Sequence, residues 1–394
     1  MLERVEPGLP TYFYYDPAHY RRELEAIWYA NWIYLCRAEE VARPRDYRVF
    51  QVGDESVLLT RNLAGELRGF YNTCRHRGSL LCTEAKGSFK GTSIVCPYHQ
   101  WTYTLDGELV NTPYRLEGPL EGRHEGPPEA DDFRREDYPL YRVAVSQWAG
   151  FVFVNLSQNE PPALELGLGE APAQLANWRL QDLRLGHRTA AVVECNWKIF
   201  CENFGECLHC PDLHPELSRL VPIYSRGLVS ERELPDFEPR SDAASRPEAP
   251  LRDGAVTWTL DGQSKLPYLD GLGEEERERG QTFATLEPSF FLVAHVDYVR
   301  VIRLMPLGPE RAEIAMEWLF HPSALARDDF DLEHATALGE LVSAQDRRAC
   351  ELNQRGVRSR AHRQGVLVRQ EYWVHAFQSW VRDRLATQPS EDRR

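Results

Sequence analysis

The sequence predicts an α+β protein in two parts. One is a small all-β domain over residues 34–157. The other is a larger domain, formed by residues 1–33 together with 158–394, in which an antiparallel β-sheet is flanked by helices. Three observations lead there. The chain has 394 residues, 42% of them apolar, enough for two buried cores. Strand-like text rich in Val, Tyr and Phe fills residues 47–72 and 140–156. Strand text returns at 283–320 and is followed by helical text at about 329–356 and 368–386, an order that places helices against a sheet.

Taken in order, Ala18 to about Trp32 spaces Leu24, Ile27, Trp28 and Trp32 at helical intervals and reads as an amphipathic helix. Tyr47 to Leu59 is strand text broken at Gly53, Asn62 to Gly65 reads as a turn, and Leu67 to Asn72 as a further strand. LYRVAVSQWAGFVFVNL, residues 140–156, continues this style with a break at Gly150. Gly-, Pro- and acid-rich stretches at 115–137, 233–255 and 271–281 read as solvated surface loops. No internal repeat is found.

The formal net charge of −14 disfavours a phosphate backbone as partner, so no nucleic acid is expected. The N-terminus MLERVEPGLPTYFYYDP lacks a basic region followed by an apolar stretch, and no run reaches bilayer length. A soluble, cytoplasmic protein with no membrane association is the expectation. In that compartment the nine cysteines read as thiols or metal ligands before disulfides. Three lie between residues 74 and 96 and four between 195 and 210, which marks two sites.

The first site is Cys74-x-His76, nineteen residues, then Cys96-x-x-His99. Two Cys and two His suit tetrahedral zinc or a mixed-ligand iron–sulfur cluster, and the spacing leaves both open. The second lies in NWKIFCENFGECLHCPDLHPEL, residues 196–217. There Cys207, His209, Cys210 and His214 have the residue types of a compact zinc site. Alternatively, His209 and His214 join a distant carboxylate as the facial triad of a non-haem iron.

The flanking residues carry a resemblance. C-x-H-R-G followed by C-P-Y-H-x-W-T-Y resembles the two cluster loops of Rieske domains, with Gln100 where Gly is more usual. Respiratory Rieske proteins carry an extra cysteine in each loop, joined as a disulfide. Here Cys82 has no such partner and Tyr98 stands in the second loop, so the likeness is to the oxygenase and ferredoxin branch. The N-W-K opening, the Glu202-Asn203 pair and Glu206-x-x-His209-x-x-x-x-His214 resemble the catalytic motif of Rieske non-haem iron oxygenases. PRDYRVFQVG and WAGFVFVNL extend the likeness over nearly the whole chain. The family is that of ring-hydroxylating and related oxygenase α subunits.

This resemblance implies a Rieske [2Fe–2S] domain whose Cys74 and Cys96 hold one iron and whose His76 and His99 hold the other, with Trp101 and Tyr103 packed behind the second loop. It implies a catalytic domain with mononuclear Fe(II) on His209, His214 and a carboxylate of a C-terminal helix. Asp346 is the candidate, followed by Gln354-Arg355-Gly356 and flanked on a helix by Val342, Ala349 and Cys350. Asp297, Asp328, Asp329 and Asp331 are rivals. Glu206 would bridge to the Rieske histidine of a neighbouring subunit, Asn203 would sit beside the iron, and Cys207 and Cys210 would be small packing residues.

The implied activity is O2- and NAD(P)H-dependent hydroxylation of a small organic substrate. Electrons would come through a separate reductase, with or without a ferredoxin, since the chain has no G-x-G-x-x-G fingerprint. Arg75 and Arg77 are exposed-cation candidates for docking that partner, and a homotrimer would bring one cluster near the next subunit's iron. The Glu206-Cys207-x-His209-Cys210-Pro211 form resembles the branch acting on glycine betaine and carnitine, which favours oxidation of a quaternary or methylated amine. Trp258, Tyr268, Phe290, Phe291 and Trp318 are candidate aromatic faces for its ammonium group. The alternatives are an aromatic ring-hydroxylating monooxygenase or dioxygenase and, more remotely, an electron carrier with a zinc-stabilised second domain.

Overall fold

The computed structural model describes residues 1–113, 133–234 and 249–387. It divides into two compact units, Ala30–Pro162 and Met1–Tyr29 with Ala163–Arg394. The smaller unit reaches a few residues beyond 34 and 157 at either end. The reason is local: Trp32 donates its indole N–H to the Pro162 carbonyl at 2.8 Å, and the Asn155 amide reaches the Ala30 carbonyl at 3.3 Å.

The chain opens with β1 (Glu6–Pro10) and the helix Pro17–Glu23, started by Asp16, whose carboxylate accepts the His19 N–H. A π-helical turn, Leu24–Trp28, follows and ends the helix short of the expected Trp32, with the Tyr29 N–H on the Leu24 carbonyl five residues back. These elements belong to the larger unit.

The smaller unit is all-β. Its strands are β2 (Ile33–Arg37), β3 (Asp46–Val52), β4 (Glu55–Arg61), β5 (Leu67–Tyr71), β6 (Lys86–Ser88), β7 (Ser93–Val95), β8 (Thr102–Thr104), β9 (Leu109–Asn111), β10 (Arg142–Trp148) and β11 (Phe151–Asn155). A seven-stranded antiparallel sheet runs β2-β11-β10-β5-β4-β3-β6, and a three-stranded sheet runs β7-β8-β9. Gly53 (φ 58°) and Gly150 (φ 85°) turn the two hairpins, where positive φ costs glycine nothing. Leu58, Phe70, Ile94, Tyr103 and Leu105 form a core that includes Cys74 and Cys96, so both cluster loops are rooted in packed side chains. Most of the expected loop at 115–137 lies outside the described residues, as does 235–248 of the second expected loop.

The larger unit holds a five-stranded antiparallel sheet, in the order β12 (Arg184–Val193), β16 (Arg311–Phe320), β15 (Val299–Gly308), β14 (Phe290–His295) and β13 (Gln281–Leu286). β17 (Gln364–Leu367) pairs with β1. The 26-residue helix Leu332–Val357, capped by Asp331, and the C-terminal helix Tyr372–Ala386 complete the frame. The short helices Trp197–Phe204, Cys210–Leu213 and Pro215–Leu220 carry the histidine motif.

The expected loop at 271–281 is in fact the helix Glu274–Arg279. Three of its glutamates, Glu274, Glu275 and Glu276, lie in the first turn and both arginines in the last, complementing the helix dipole, and Gly280 at φ 73° ends it. The charge run is a helix signature rather than a solvated coil.

Candidate metal centres

In the smaller unit the first cluster loop joins β5 to β6 and the second joins β7 to β8. The loops repeat one backbone design. The Cys74 carbonyl accepts the Gly78 N–H, and the Cys96 carbonyl accepts the Gln100 N–H, both at 3.0 Å. The Cys74 N–H reaches the Ser79 carbonyl at 2.8 Å, and the Cys96 N–H the Trp101 carbonyl at 2.9 Å. Gly78 (φ 75°) and Gln100 (φ 56°) hold the left-handed corner of each loop. Gln100 adopts there a conformation that costs a non-glycine residue about 1 kcal/mol.

Cys74 and Cys96 are buried, while the Nδ1 atoms of His76 and His99 face each other at 3.1 Å. Burial, the neighbouring His99 and Arg77 together lower the His76 pKa, which keeps its ring neutral with a lone pair to donate. Among the described residues, only His209, His214 and Asp346 form a trio of donor atoms mutually within 4.8 Å. The four donors here fall instead into two pairs, a buried thiol pair and an outer imidazole pair. That division fits two irons and not a single zinc.

The Tyr103 hydroxyl lies 3.2 Å from the Cys74 sulfur and accepts the Arg75 N–H at 3.2 Å. Tyr103 therefore serves the first loop as well as packing behind the second. Burial and the Cys74 thiol hold its pKa up, so it stays a hydroxyl. Trp101 stacks on His76 with ring centroids 4.8 Å apart. Arg75 is structural, donating to the Pro139 carbonyl at 2.7 Å and lying 4.2 Å over the Tyr141 ring.

In the larger unit the N-W-K opening has a physical reading. Asn196 caps the helix Trp197–Phe204 through its side chain, while Trp197 (2.8 Å) and Lys198 (2.5 Å) both bond the buried carboxylate of Glu23. Gln354 of the long helix accepts the Asn196 N–H at 2.7 Å, which pins the start of the motif helix. Glu202 is bonded by the Tyr14 hydroxyl (2.8 Å) and the Gln378 amide (2.9 Å), and burial pushes its pKa up to about 7.

The candidate metal trio His209, His214 and Asp346 sits at the end of this frame. The His209 Nδ1 lies 2.6 Å from Glu206 Oε1, and the His214 Nδ1 lies 2.7 Å from Gln345 Oε1. With Nδ1–H donated to those acceptors, both rings turn an Nε2 lone pair towards Asp346 Oδ1, at 3.6 and 2.9 Å. Burial disfavours charge on His214, yet Asp346 and Gln345 raise its pKa, the same negative field that draws in a cation. Two imidazoles and one carboxylate on one side leave open positions, the donor set that suits Fe(II). Asn203 approaches His209 Nε2 at 3.4 Å through its amide nitrogen.

The rival carboxylates are elsewhere. Asp297 is buried on Thr257 and Ser264, Asp331 caps the long helix, and Asp329 pairs with Arg327. Asp328 belongs to no metal-binding trio among the described residues. Cys207 and Cys210 are corrected: they form a disulfide, their Cα atoms 4.9 Å apart across the turn that carries His209. The i, i+3 spacing on one turn brings the sulfurs together, and no thiolate remains to bind zinc beside the histidines.

A cavity of about 110 Å³ opens over the trio. Of the five expected aromatic faces only Trp258 lines it. Phe200, Phe204, Tyr224 and Phe283 supply the rest of the aromatic wall, and Phe291 stands behind Phe204 at 4.9 Å. Tyr268, Phe290 and Trp318 are not among the lining residues. No motif marks Gln345 as the partner of His214, nor Phe200, Phe204, Tyr224 and Phe283 as cavity aromatics.

An all-β unit with paired thiol and imidazole donors, in one chain with an α+β unit that carries a two-histidine, one-carboxylate trio, defines the class of Rieske non-haem iron oxygenases. Residues 31–119 match the Rieske [2Fe–2S] domain and residues 180–387 the catalytic domain of the ring hydroxylating alpha subunit, and the chain belongs to that family. Its cofactors are accordingly a Rieske cluster and a mononuclear iron, with O2, a small-molecule substrate and a reductase as reaction partners. The glycine betaine monooxygenase oxygenase subunit of Chromohalobacter salexigens is 32% identical, over 96% of this chain and 86% of its own length. The chloroplastic choline monooxygenase of Beta vulgaris is 26% identical, over 95% and 76%. A solved quaternary ammonium Rieske monooxygenase shares the fold with a TM-score of 0.72 at 23% identity, covering 97% of this chain and 96% of its own. Among the described residues no helix is long and apolar enough to cross a membrane.

Proposed function

We propose that this chain is the oxygenase component of a monooxygenase that oxidises an N-methyl group of a quaternary or methylated amine. The observation that carries the reading is the aromatic wall of Phe200, Phe204, Tyr224, Trp258 and Phe283 around the cavity over the trio. Aromatic faces attract an alkylammonium cation without offering a base to it. Glycine betaine and choline, for which two relatives are named, both carry a quaternary ammonium group of the kind such faces attract.

In this reading Cys74, His76, Cys96 and His99 hold the cluster, and His209, His214 and Asp346 hold the iron. When bound, these groups supply electron delivery and O2 activation. Glu206 and Gln345 fix the two histidine rings by accepting their Nδ1–H. Asn203 presents its amide beside the open positions, and the apolar residues Ile302, Ile314, Met316 and Val342 keep bulk water from the reacting methyl group. One O2, two electrons and two protons convert one C–H to C–OH and release one water. The resulting N-hydroxymethyl ammonium then loses formaldehyde and a proton, leaving the amine with one methyl fewer.

Electrons come from NAD(P)H through a separate reductase, with or without a ferredoxin. The chain works as a homotrimer in the cytoplasm, and Glu206 bridges to the cluster histidine of a neighbouring subunit. The experiment supplies holoenzyme with a reductase and measures formaldehyde against substrate consumed. Equimolar formaldehyde from a trimethylammonium compound is expected. Phenol or cis-diol from an aromatic hydrocarbon, with no formaldehyde from any methylated amine, overturns the reading.

A further inference from the structure

The cavity that serves the iron also contains a charge that the N-methyl chemistry does not use. Arg300 lies on β15, on the sheet face it shares with Ile302, and lines the cavity with Ile314 and Met316 of β16. Only 5% of it is exposed. Its Nε is buried with no hydrogen-bond partner, and among the described residues no ion pair engages the guanidinium. An unpaired buried charge costs several kcal/mol, and proteins keep one where a partner arrives from outside.

The surroundings do not neutralise it. Tyr224 and Tyr298 stay protonated because burial raises their pKa values. Burial, reinforced by Arg300 itself, drives His295 well below the ordinary imidazole range, so that ring is uncharged as well. The other charged lining residues are Arg347, Glu206 and Asp346. Arg347 also has a buried Nε without a partner, whereas Glu206 is engaged by His209 and Asp346 belongs to the metal trio. Two arginines and two carboxylates balance, so an added Fe(II) leaves the loaded cavity positive. A bare ammonium would enter against that potential, and an anionic group would enter with it.

The helix above makes room for the guanidinium. A Cβ on Gly339 would stand 2.9 Å from Arg300 Nη1 and 3.0 Å from the Trp318 ring. Glycine in a helix interior costs about 1 kcal/mol against alanine, and here it clears the space that Arg300 occupies. Arg300 also lies over the Trp258 ring at 5.3 Å. That face of Trp258 already carries a cation, which leaves Phe200 and Phe204, on the helix of Asn203, to receive the methylated nitrogen.

We infer that Arg300, with the Tyr224 hydroxyl beside it, is the binding site for a substrate carboxylate, so that the substrate is a zwitterionic betaine rather than an amino alcohol or a simple ammonium. This deepens the N-methyl oxidation reading and rests on it. The carboxylate sits on Arg300, and the trimethylammonium group against Phe200 and Phe204.

The test is direct binding to anaerobic holoenzyme without reductase, measured by calorimetry for glycine betaine, its methyl ester, choline and tetramethylammonium. Wild-type protein should bind glycine betaine at least tenfold more tightly than its methyl ester or choline. Arg300→Gln should lower glycine betaine affinity on the order of 100-fold and leave choline and tetramethylammonium unchanged or tighter. Arg300→Lys should fall between. Cluster absorbance and thermal midpoint report folding, and the methyl-ester comparison on wild-type protein decides the matter even where a variant does not fold. Equal binding of betaine, ester and choline overturns the carboxylate site while leaving N-methyl oxidation standing. No binding of any trimethylammonium compound overturns both.

Discussion

Glu206 accepts from the His209 ring and from the Leu208 backbone N–H, one through each carboxylate oxygen, and each oxygen keeps a further lone pair. That is the equipment for orienting a metal ligand while receiving one more N–H from outside. Glu206→Gln preserves one acceptor for the His209 ring but turns an N–H₂ towards the other partners. Cluster absorbance and iron content should stay at wild-type levels, while the rate at which substrate and O2 reoxidise the reduced cluster falls about 10–100-fold. A stopped-flow trace at the wild-type rate would remove Glu206 from the electron path. Glu206, His209 and His214 were legible in the sequence because their spacing is local and repeats within one short stretch. Asp346 lies 132 positions beyond His214 and was reached only through the family's C-terminal pattern. Arg300 was not legible at all. In the sequence it is one more charge in a strand, and only its burial without a partner sets it apart.

The short helix Trp197–Phe204 holds the site because both its ends are tied to distant parts of the larger unit. Glu23, itself fully buried, receives Trp197 and Lys198 and lies 3.1 Å from His19. Glu23→Ala would leave the Lys198 ammonium buried without its counter-charge. The loss should reach about 3–5 kcal/mol, read as a lower midpoint in urea. Replacing both Glu23 and Lys198 with apolar residues should recover much of it, and a single variant as stable as wild type would show that the pair does not hold the helix. Such a tie between residues 23 and 198 cannot be read from either segment alone, although the N-W-K text signalled that something unusual begins there. The strands of the smaller unit were easier, since alternation and the breaks at Gly53 and Gly150 act locally. Two elements escaped for physical reasons. The Glu274–Arg279 run has no apolar stripe and is held by its capping and charge order. The Cys207–Cys210 pair was read by compartment, while its i, i+3 placement on one turn decides its state.

At the scale of the whole molecule, the chain contains an electron inlet in one unit and an oxygen-activating site in the other, and the proposed homotrimer assigns each inlet to a neighbour's site. That assignment differs from transfer within one chain in a way that mixing reveals. A Cys96→Ala chain keeps the trio His209, His214 and Asp346 but loses a cluster ligand. An Asp346→Ala chain keeps the cluster donors but loses an iron ligand. Each should be inactive alone, because every trimer of a single type lacks one half of the path. Co-expressed in equal amounts and purified together, they should recover about a quarter of the wild-type formaldehyde rate, since half the chains keep the iron and half of those meet an intact cluster on the supplying neighbour. Transfer within a single chain predicts no recovery at any mixing ratio, because no chain then holds both centres. A rate that rises with co-expression, and not on mixing preformed single-type trimers, places the exchange at assembly and the electron's crossing between subunits.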